Sequence, residues 1–385
     1  MNICHVITGL STGGAETFLC RLLESLSPPE FTHSVIVLGR QGALSARIAK
    51  HATLHHLNMR AKLPLPRDFL WLRRNLQTSQ PDLIHTWMYH ANLMGTLAAL
   101  GMQIPVLWGV RQSLYDIHHE KLATRLVIRI NRMLSDRPTR IIYNSFTAAD
   151  QHEKCGFSAE RRQVIPNGFD TEVFCPNDDE RGRVRAELGI GDDDLAIGLI
   201  ARWHPMKDHA NFLHAAVLLA RSMPKTIFVL VGEGMVKENA TITALVHSLG
   251  LENRVRLCGR RIDIAAFDTA FDIASSSSSW GEGFSNALAE AMACGTPCVA
   301  TDVGDVREII GDTGIVVPIR DPEAMSKGWV ELAALGARGR MELGLRARAR
   351  IIERYAMPFV ADQYAQLYRG LVLERSAHAV GIVEG

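Results

Sequence analysis

Short apolar runs alternate with longer amphipathic stretches along almost the whole chain. In the first half, strands are predicted at 3–8, 33–38, 53–57, 83–85, 106–110, 140–143 and 163–165, with helices at 15–25, 67–77, 91–100, 121–134 and 147–152. In the second half, strands are predicted at 195–201, 226–231, 255–257, 273–275, 297–300 and 314–317. Helices at 211–221, 235–249, 263–271, 286–294, 306–310 and 322–335 separate them. Strands this short and apolar, each followed by a helix, predict α/β architecture with parallel sheets. The turn Ile165-Pro166-Asn167-Gly168-Phe169-Asp170 divides the halves, because Pro and Asn-Gly favour reversal over continuation. Residues 176–194, rich in Asp, Glu and Arg, read as a solvated connector with a short helix. The simplest assembly is two sheet domains facing each other across a cleft, with a ligand at the carboxyl ends of the strands.

Length supports the division, since 385 residues exceed what one hydrophobic core usually serves, and 47% hydrophobic residues are ample for two. The net charge of +1 hides an asymmetry. Residues 1–165 hold 19 Lys/Arg against 11 Asp/Glu, or +8, and residues 166–385 hold 23 against 30, or −7. A basic first half suits an anionic acceptor or an anionic membrane surface, although scattered solvated arginines give the same count. Seven dispersed cysteines fit reduced thiols in a cytosolic protein, and Cys294 and Cys298 have no matching pair for zinc. The opening MNICHVITGL resembles no signal peptide and no run reaches membrane-spanning length, so a cytoplasmic location is expected. No nucleic-acid partner is expected.

The densest chemistry lies at residues 281–297, GEGFSNALAEAMACGTP. Glu282 sits in a glycine-bracketed loop, and Glu290 lies eight positions on, within a predicted helix, roughly 9–12 Å away. That is about the reach from a sugar ring across a diphosphate to a ribose. Between them the backbone N–H groups of Phe284, Ser285 and Asn286 stand at a helix start, where unpaired donors favour phosphate. A solvated loop with a structural Glu–Arg pair fits the same spacing. The strand at 195–201 runs into Arg202 and then Lys207, two cations that a strand-end loop can bring together on a diphosphate. The turn Gly9–Glu16, with adjacent glycines, lets backbone approach a phosphate but is neither GxGxxG nor a Walker A motif. His85, His90 and Arg111 are expected on first-half loops facing the cleft and are candidates for acceptor contact, although a lone His is more often a structural hydrogen-bonder. His51, His55 and His56, with His118 and His119, read as surface or sheet positions, and Asp192–Asp194 reads as a turn.

Together these segments resemble glycosyltransferase family 4, the retaining transferases of GT-B fold. The resemblance rests on GGAE at 13–16, NSF at 144–146, IPNGFD at 165–170, ARWHPMKD at 201–208, VGEG at 231–234 and EGFSNALAEAMACGTP at 282–297, which occur in the family's order. It implies two facing Rossmann-like domains: an acceptor domain at 1–168, completed by a C-terminal helix at about 357–385, and a donor domain at 169–356. It further implies a hexosyl- or N-acetylhexosaminyltransferase that moves sugar from a nucleotide sugar, typically a UDP-sugar, to a glycan or lipid-linked acceptor of surface polysaccharide or glycoconjugate synthesis. On the matching positions Arg202 and Lys207 hold the diphosphate, Glu290 the ribose hydroxyls and Glu282 the transferred sugar. Backbone at Gly14, Phe284 and Ser285 lines the phosphates, and Arg260 lies near the base. No cofactor or metal is implied, since the cations replace it. Many members carry His where this chain has Arg111, and another His is common at Trp87. Amphipathic, basic helices around residues 67–74 and 121–134 add an expectation of peripheral contact with an anionic membrane at the inner face of the cell membrane. The rival readings are a nucleotide-sugar epimerase and a non-catalytic sugar-nucleotide sensor.

Overall fold

The structure, a computed structural model, describes residues 1–11, 13–59, 65–115 and 121–381. It divides into two compact units, Met1–Gly168 with Met357–Gly385, and Phe169–Ala356.

In the first unit the order is β1 (Asn2–Ile7), α1 (Gly14–Ser25), β2 (Thr32–Val37), α2 (Ser45–Ile48), β3 (Thr53–His56), α3 (Pro66–Ser79), β4 (Leu83–Trp87), α4 (Tyr89–Ala99), β5 (Val106–Val110), α5 (Leu122–Met133), β6 (Arg140–Tyr143), α6 (Phe146–Lys154) and β7 (Arg162–Val164). The strands form one seven-stranded sheet in the order β3-β2-β1-β4-β5-β6-β7, every pair parallel. Parallel strands need crossovers, and the helices that provide them cover both faces, so the strands are apolar on both sides. Ile3 and Ile7 pack with Phe18 and Leu22 of α1, while Cys4 and Val6 pack with Leu72 and Leu76 of α3 on the opposite face.

The second unit contains α7 (Asp178–Leu188), β8 (Leu195–Ile200), a 3-10 turn at Pro205–Lys207, α8 (His209–Ser222), β9 (Thr226–Val231), α9 (Ala240–Ser248), β10 (Val255–Leu257), α10 (Ile264–Ala270), β11 (Ile273–Ser276), α11 (Asn286–Ala293), β12 (Cys298–Thr301), α12 (Val306–Ile310), β13 (Gly314–Val317), α13 (Pro322–Ala334) and α14 (Gly336–Tyr355). Its six-stranded parallel sheet has the order β10-β9-β8-β11-β12-β13. Phe169 bridges Ala356, so the chain enters and leaves this unit side by side. The final helix, α15 (Met357–Gly381), then returns to the first unit, burying Val360, Tyr364 and Tyr368 against the β1 and α1 side chains.

Four expectations need correction. Residues 176–194 are mostly exposed and hold the expected short helix, yet they are more than a connector: α7 lies against α10, and Arg181 and Arg185 both pair with Asp272. The helix predicted at 235–249 starts only at Ala240, because the Met235 carbonyl is taken by the Gly259 N–H and Asn239 forms the N-cap. Strand β4 runs two residues further than predicted, through Trp87. Helix α14 was not anticipated; its many arginines obscure a buried stripe of Gly344, Ala347, Ile351 and Tyr355 at helical spacing.

Candidate active site

The strand order of the second unit reverses between β8 and β11, so the loops leaving their carboxyl ends diverge and open a crevice. Lys207 comes from the loop after β8 and Glu282 from the loop after β11. Lys207 Nζ donates to Glu282 Oε1, and Ser278 Oγ donates to the same oxygen at 2.8 Å. The Glu282 side chain is 11% exposed and that of Lys207 21%, so the pair is sheltered yet reachable.

Backbone contacts fix this geometry. Ser277 Oγ donates to the Lys207 carbonyl at 2.7 Å, and the Ser279 N–H to the Met206 carbonyl at 2.8 Å. On the far side Thr301 Oγ1 donates to the Ser278 carbonyl at 2.6 Å and the Asp305 N–H to the Gly283 carbonyl at 3.0 Å. The loops after β8, β11 and β12 are thereby tied into one rim. Gly304 permits the last contact: its φ is +65°, and a Cβ there would stand 2.6 Å from the Glu282 carbonyl oxygen. Asp208, itself at φ +45°, ends the Lys207 turn and caps α8 by accepting from the Asn211 N–H at 3.2 Å.

Helix α11 starts where Glu282's loop ends. Ser285 is its N-cap but makes no side-chain capping bond, and the first turn carries no acid. Donors of that turn therefore remain suited to an anion. The Phe284 ring is stacked on Phe169 at 5.7 Å and set edge-on to Tyr355 at 5.3 Å, which leaves its backbone as the part that can meet a ligand. Glu290 lies half-buried on the same helix. Its charge acts on Asp268 of α10, a carboxyl 1% exposed with no hydrogen-bond partner on either oxygen. Burial, with a smaller contribution from Glu290, pushes the Asp268 carboxyl well above the usual carboxylate range. Arg202 is exposed, and it and Lys207 both depress the His204 imidazolium, after burial, the larger cause. Arg260 is exposed at the rim of a cavity of about 850 Å3 that also meets Cys175, Arg183, Arg261 and Asp263. Arg261 is anchored there by Asp263 and Glu187.

In the first unit the order reverses between β1 and β4. Gly14, exposed, opens α1 beyond β1, and His90 lies in the first turn of α4 beyond β4. Arg111 departs from the loop-surface expectation. Its guanidinium is buried, 3.6 Å above the Phe18 ring, and donates to the Ile165 carbonyl at 3.3 Å, although the residue as a whole keeps some exposure. His85 also lies inside rather than on a loop: it is fully buried within β4, its Nδ1 2.8 Å from the Tyr368 hydroxyl. The longer strand and the return of α15 enclose it. His118 and His119 lie outside the described residues.

The structure thus brings together Lys207, Glu282 and the start of α11. Three contributors had not been singled out. Ser277 and Ser278 hold Lys207 and Glu282, and the visible signal was the serine tract at 275–279, taken only as a strand end. Asp268 had no signal beyond an acid in an apolar helix. Among the described residues no group of three His, Cys, Asp or Glu is arranged to hold a metal ion, and no helix is long and apolar enough to cross a membrane.

The family model described as Glycosyltransferase Family 4 matches residues 12–173, and that described as Glycosyl transferases group 1 matches residues 194–334. The chain is 28% identical over 208 residues to N-acetyl-alpha-D-glucosaminyl L-malate synthase of Bacillus anthracis, covering 54% of this chain and 53% of that one. It is 29% identical over 244 residues to D-inositol 3-phosphate glycosyltransferase of Rhodococcus jostii (strain RHA1), covering 60% and 52%. The matches thus span about half the length of these curated relatives. Among solved structures it is similar to Anabaena Alr3699/HepE in complex with UDP, with a TM-score of 0.82 and 21% identity over 96% of this chain and 100% of that one. With two family models that match residues 12–173 and 194–334 and a parallel, doubly wound sheet in each unit, the chain belongs to glycosyltransferase family 4 and has the GT-B fold.

Proposed function

We propose that this chain is a retaining glycosyltransferase that moves a hexosyl or N-acetylhexosaminyl group from a UDP-sugar to a glycan or lipid-linked acceptor, with the second unit holding the donor. The observation that carries the reading is the Lys207–Glu282 pair, held by Ser277 and Ser278 at the β8/β11 reversal beside the uncapped start of α11. A diphosphate placed there meets an ammonium, the Arg202 guanidinium and the first N–H groups of α11. Such preorganised donors stabilise charge as it develops on a leaving group. Glu282 contacts hydroxyls of the transferred sugar, Glu290 the ribose, and Arg260 stands near the base. The neighbouring protein crystallised with UDP, and the family assignment favours transfer over epimerisation.

In the reaction the acceptor oxygen bonds to the anomeric carbon on the face from which the bond to the diphosphate oxygen breaks. The acceptor's proton passes to an oxygen of the departing diphosphate, whose negative charge Lys207 and Arg202 take up. This chemistry calls on no metal from the protein. Peripheral contact with an anionic membrane from the cytoplasmic side belongs to the same proposal: on α5, Leu122, Leu126 and Met133 are exposed among Lys121, Arg125, Arg129 and Arg132.

Titration against UDP-, GDP-, ADP- and TDP-sugars, with and without EDTA, tests the donor site. Selective binding of a UDP-sugar, unchanged by EDTA, is the expected result. Absence of binding to any of them, or strict metal dependence, would overturn it.

A further inference from the structure

Both N–H groups of the turn that presents Lys207 end on one residue. The turn is the 3-10 segment Pro205–Lys207 in the loop after β8. Runs this short have poor hydrogen-bond geometry of their own, so their shape depends on what holds the backbone groups. Pro205 has no N–H to place. The Lys207 N–H donates to the His204 carbonyl at 3.0 Å, and the Met206 N–H donates to His204 Nδ1 at 3.2 Å. The carbonyls go elsewhere: that of Pro205 accepts from the Asp208 N–H at 3.2 Å, while those of Met206 and Lys207 are held by Ser279 and Ser277 of the loop after β11. His204 therefore supplies both acceptors on the donor side of the turn, and loss of its ring would leave the Met206 N–H without one.

The identity of the residue matters as well as its bond. Asn, Asp, Ser and Thr are the usual side chains that accept from N–H groups at such a start. An aspartate here would set a carboxylate in the loop of Arg202 and Lys207, compete for both and oppose an incoming anion. Imidazole accepts with no negative charge. Because Nδ1 accepts, the ring proton lies on Nε2; an imidazolium carries N–H on both nitrogens and cannot make the bond. The surroundings favour the accepting form: partial burial lowers the ring's pKa most, and the charges of Arg202 and Lys207 lower it further. Asp208, the nearest acid in sequence, caps α8 by accepting from the Asn211 N–H, and Glu282 is taken by Lys207 and Ser278.

We infer that His204 is a positioning residue for the transfer proposed above: accepting through Nδ1, it holds the turn that presents Lys207 to a diphosphate, and it does so without a negative charge beside the cations. The inference rests on the donor-site reading and adds to it the residue that sets Lys207 in place.

The test titrates UDP into the full chain by calorimetry, for wild type, His204→Ala, His204→Asn, His204→Asp and Lys207→Ala, with thermal unfolding of each to show that the fold is kept. At pH 8, His204→Ala should bind UDP about fivefold more weakly, the usual effect of a lost cap. His204→Asn, which accepts from the same N–H, should bind within about twofold of wild type. His204→Asp, which caps but adds charge, should bind more weakly than His204→Asn. A pH series separates positioning from direct contact with phosphate. An imidazolium that touched the phosphate would tighten binding toward acid, whereas one that has lost the Met206 N–H loosens it. Wild-type affinity should therefore fall relative to His204→Asn below about pH 6.5, the titration of UDP itself cancelling in the ratio. The Asn comparison and the pH series stand even where His204→Ala unfolds. With Lys207→Ala weakened, equal binding by His204→Ala and wild type, failure of His204→Asn to restore binding, or a ratio that rises toward acid overturns the inference alone. Wild type that binds no UDP, or Lys207→Ala that binds as wild type does, overturns the donor site and this inference with it.

Discussion

Asp268 offers the sharpest quantitative test of the second unit. Its carboxyl is 1% exposed and neither oxygen has a hydrogen-bond partner, while Glu290 adds negative potential from α11. Ionising it in place would strand a charge in a medium that cannot solvate it, so the folded protein keeps the proton. The unfolded chain gives it up above about pH 4. Folding therefore takes up a proton across the whole interval between the unfolded and folded pKa, and stability falls as pH rises through it. The slope for one group is about 1.4 kcal/mol per pH unit. Asp268→Asn removes the titration but preserves size and neutrality, so its stability should exceed that of wild type by an amount that grows with pH at that slope. For a unit the size of Phe169–Ala356 that is about 3–6 °C in Tm for each pH unit. Thermal unfolding of wild type and Asp268→Asn from pH 5 to 8 measures the difference directly. Parallel profiles would refute the argument, and a gap that widened toward acid would reverse its sign.

Three further outcomes follow from the site. Lys207→Ala and Arg202→Ala should each lower turnover by about 100-fold or more while leaving the fold intact by circular dichroism, and near-normal activity in both would remove the diphosphate role. Glu282→Gln releases Lys207 from its carboxylate partner, so UDP should bind as tightly as in wild type or a few-fold more tightly while sugar transfer falls by about 100-fold; a loss of UDP affinity would mean that the pair binds nucleotide only as a unit. Replacing Leu122, Leu126 and Met133 together by Ser should abolish flotation with anionic vesicles and leave UDP affinity unchanged; flotation that survives would remove α5 as the contact surface, and wild type that never floats would remove the membrane contact itself.

Much of the proposed donor site was legible in the sequence because its signals are local. Glycines around Glu282, an acid eight positions on and two cations after one strand are relations within short stretches, readable before any fold is known. The first unit was less legible for the opposite reason. Arg111 and His85 looked alike on paper, each a polar residue at the end of an apolar run, yet one guanidinium lies on Phe18 and one imidazole meets Tyr368, 283 positions away. Nothing near Arg111 or His85 announces partners contributed by α1 and α15.

The amino-acid pattern by itself determined that this would be an α/β chain of parallel sheets, since short apolar strands alternating with amphipathic helices have few other ways to bury both faces. It also carried the local form of the loops proposed to face a phosphate, because turn conformation and helix starts depend on the few residues at hand. Only the tertiary structure decided which polar groups would be shared. The serine tract became the support of Lys207 and Glu282 once β11 was laid beside β8, and burial raised the Asp268 carboxyl well above the usual carboxylate range. Ionisation and partnership depend on what comes from elsewhere in the chain to exclude water, and that is a property of packing that no local pattern contains.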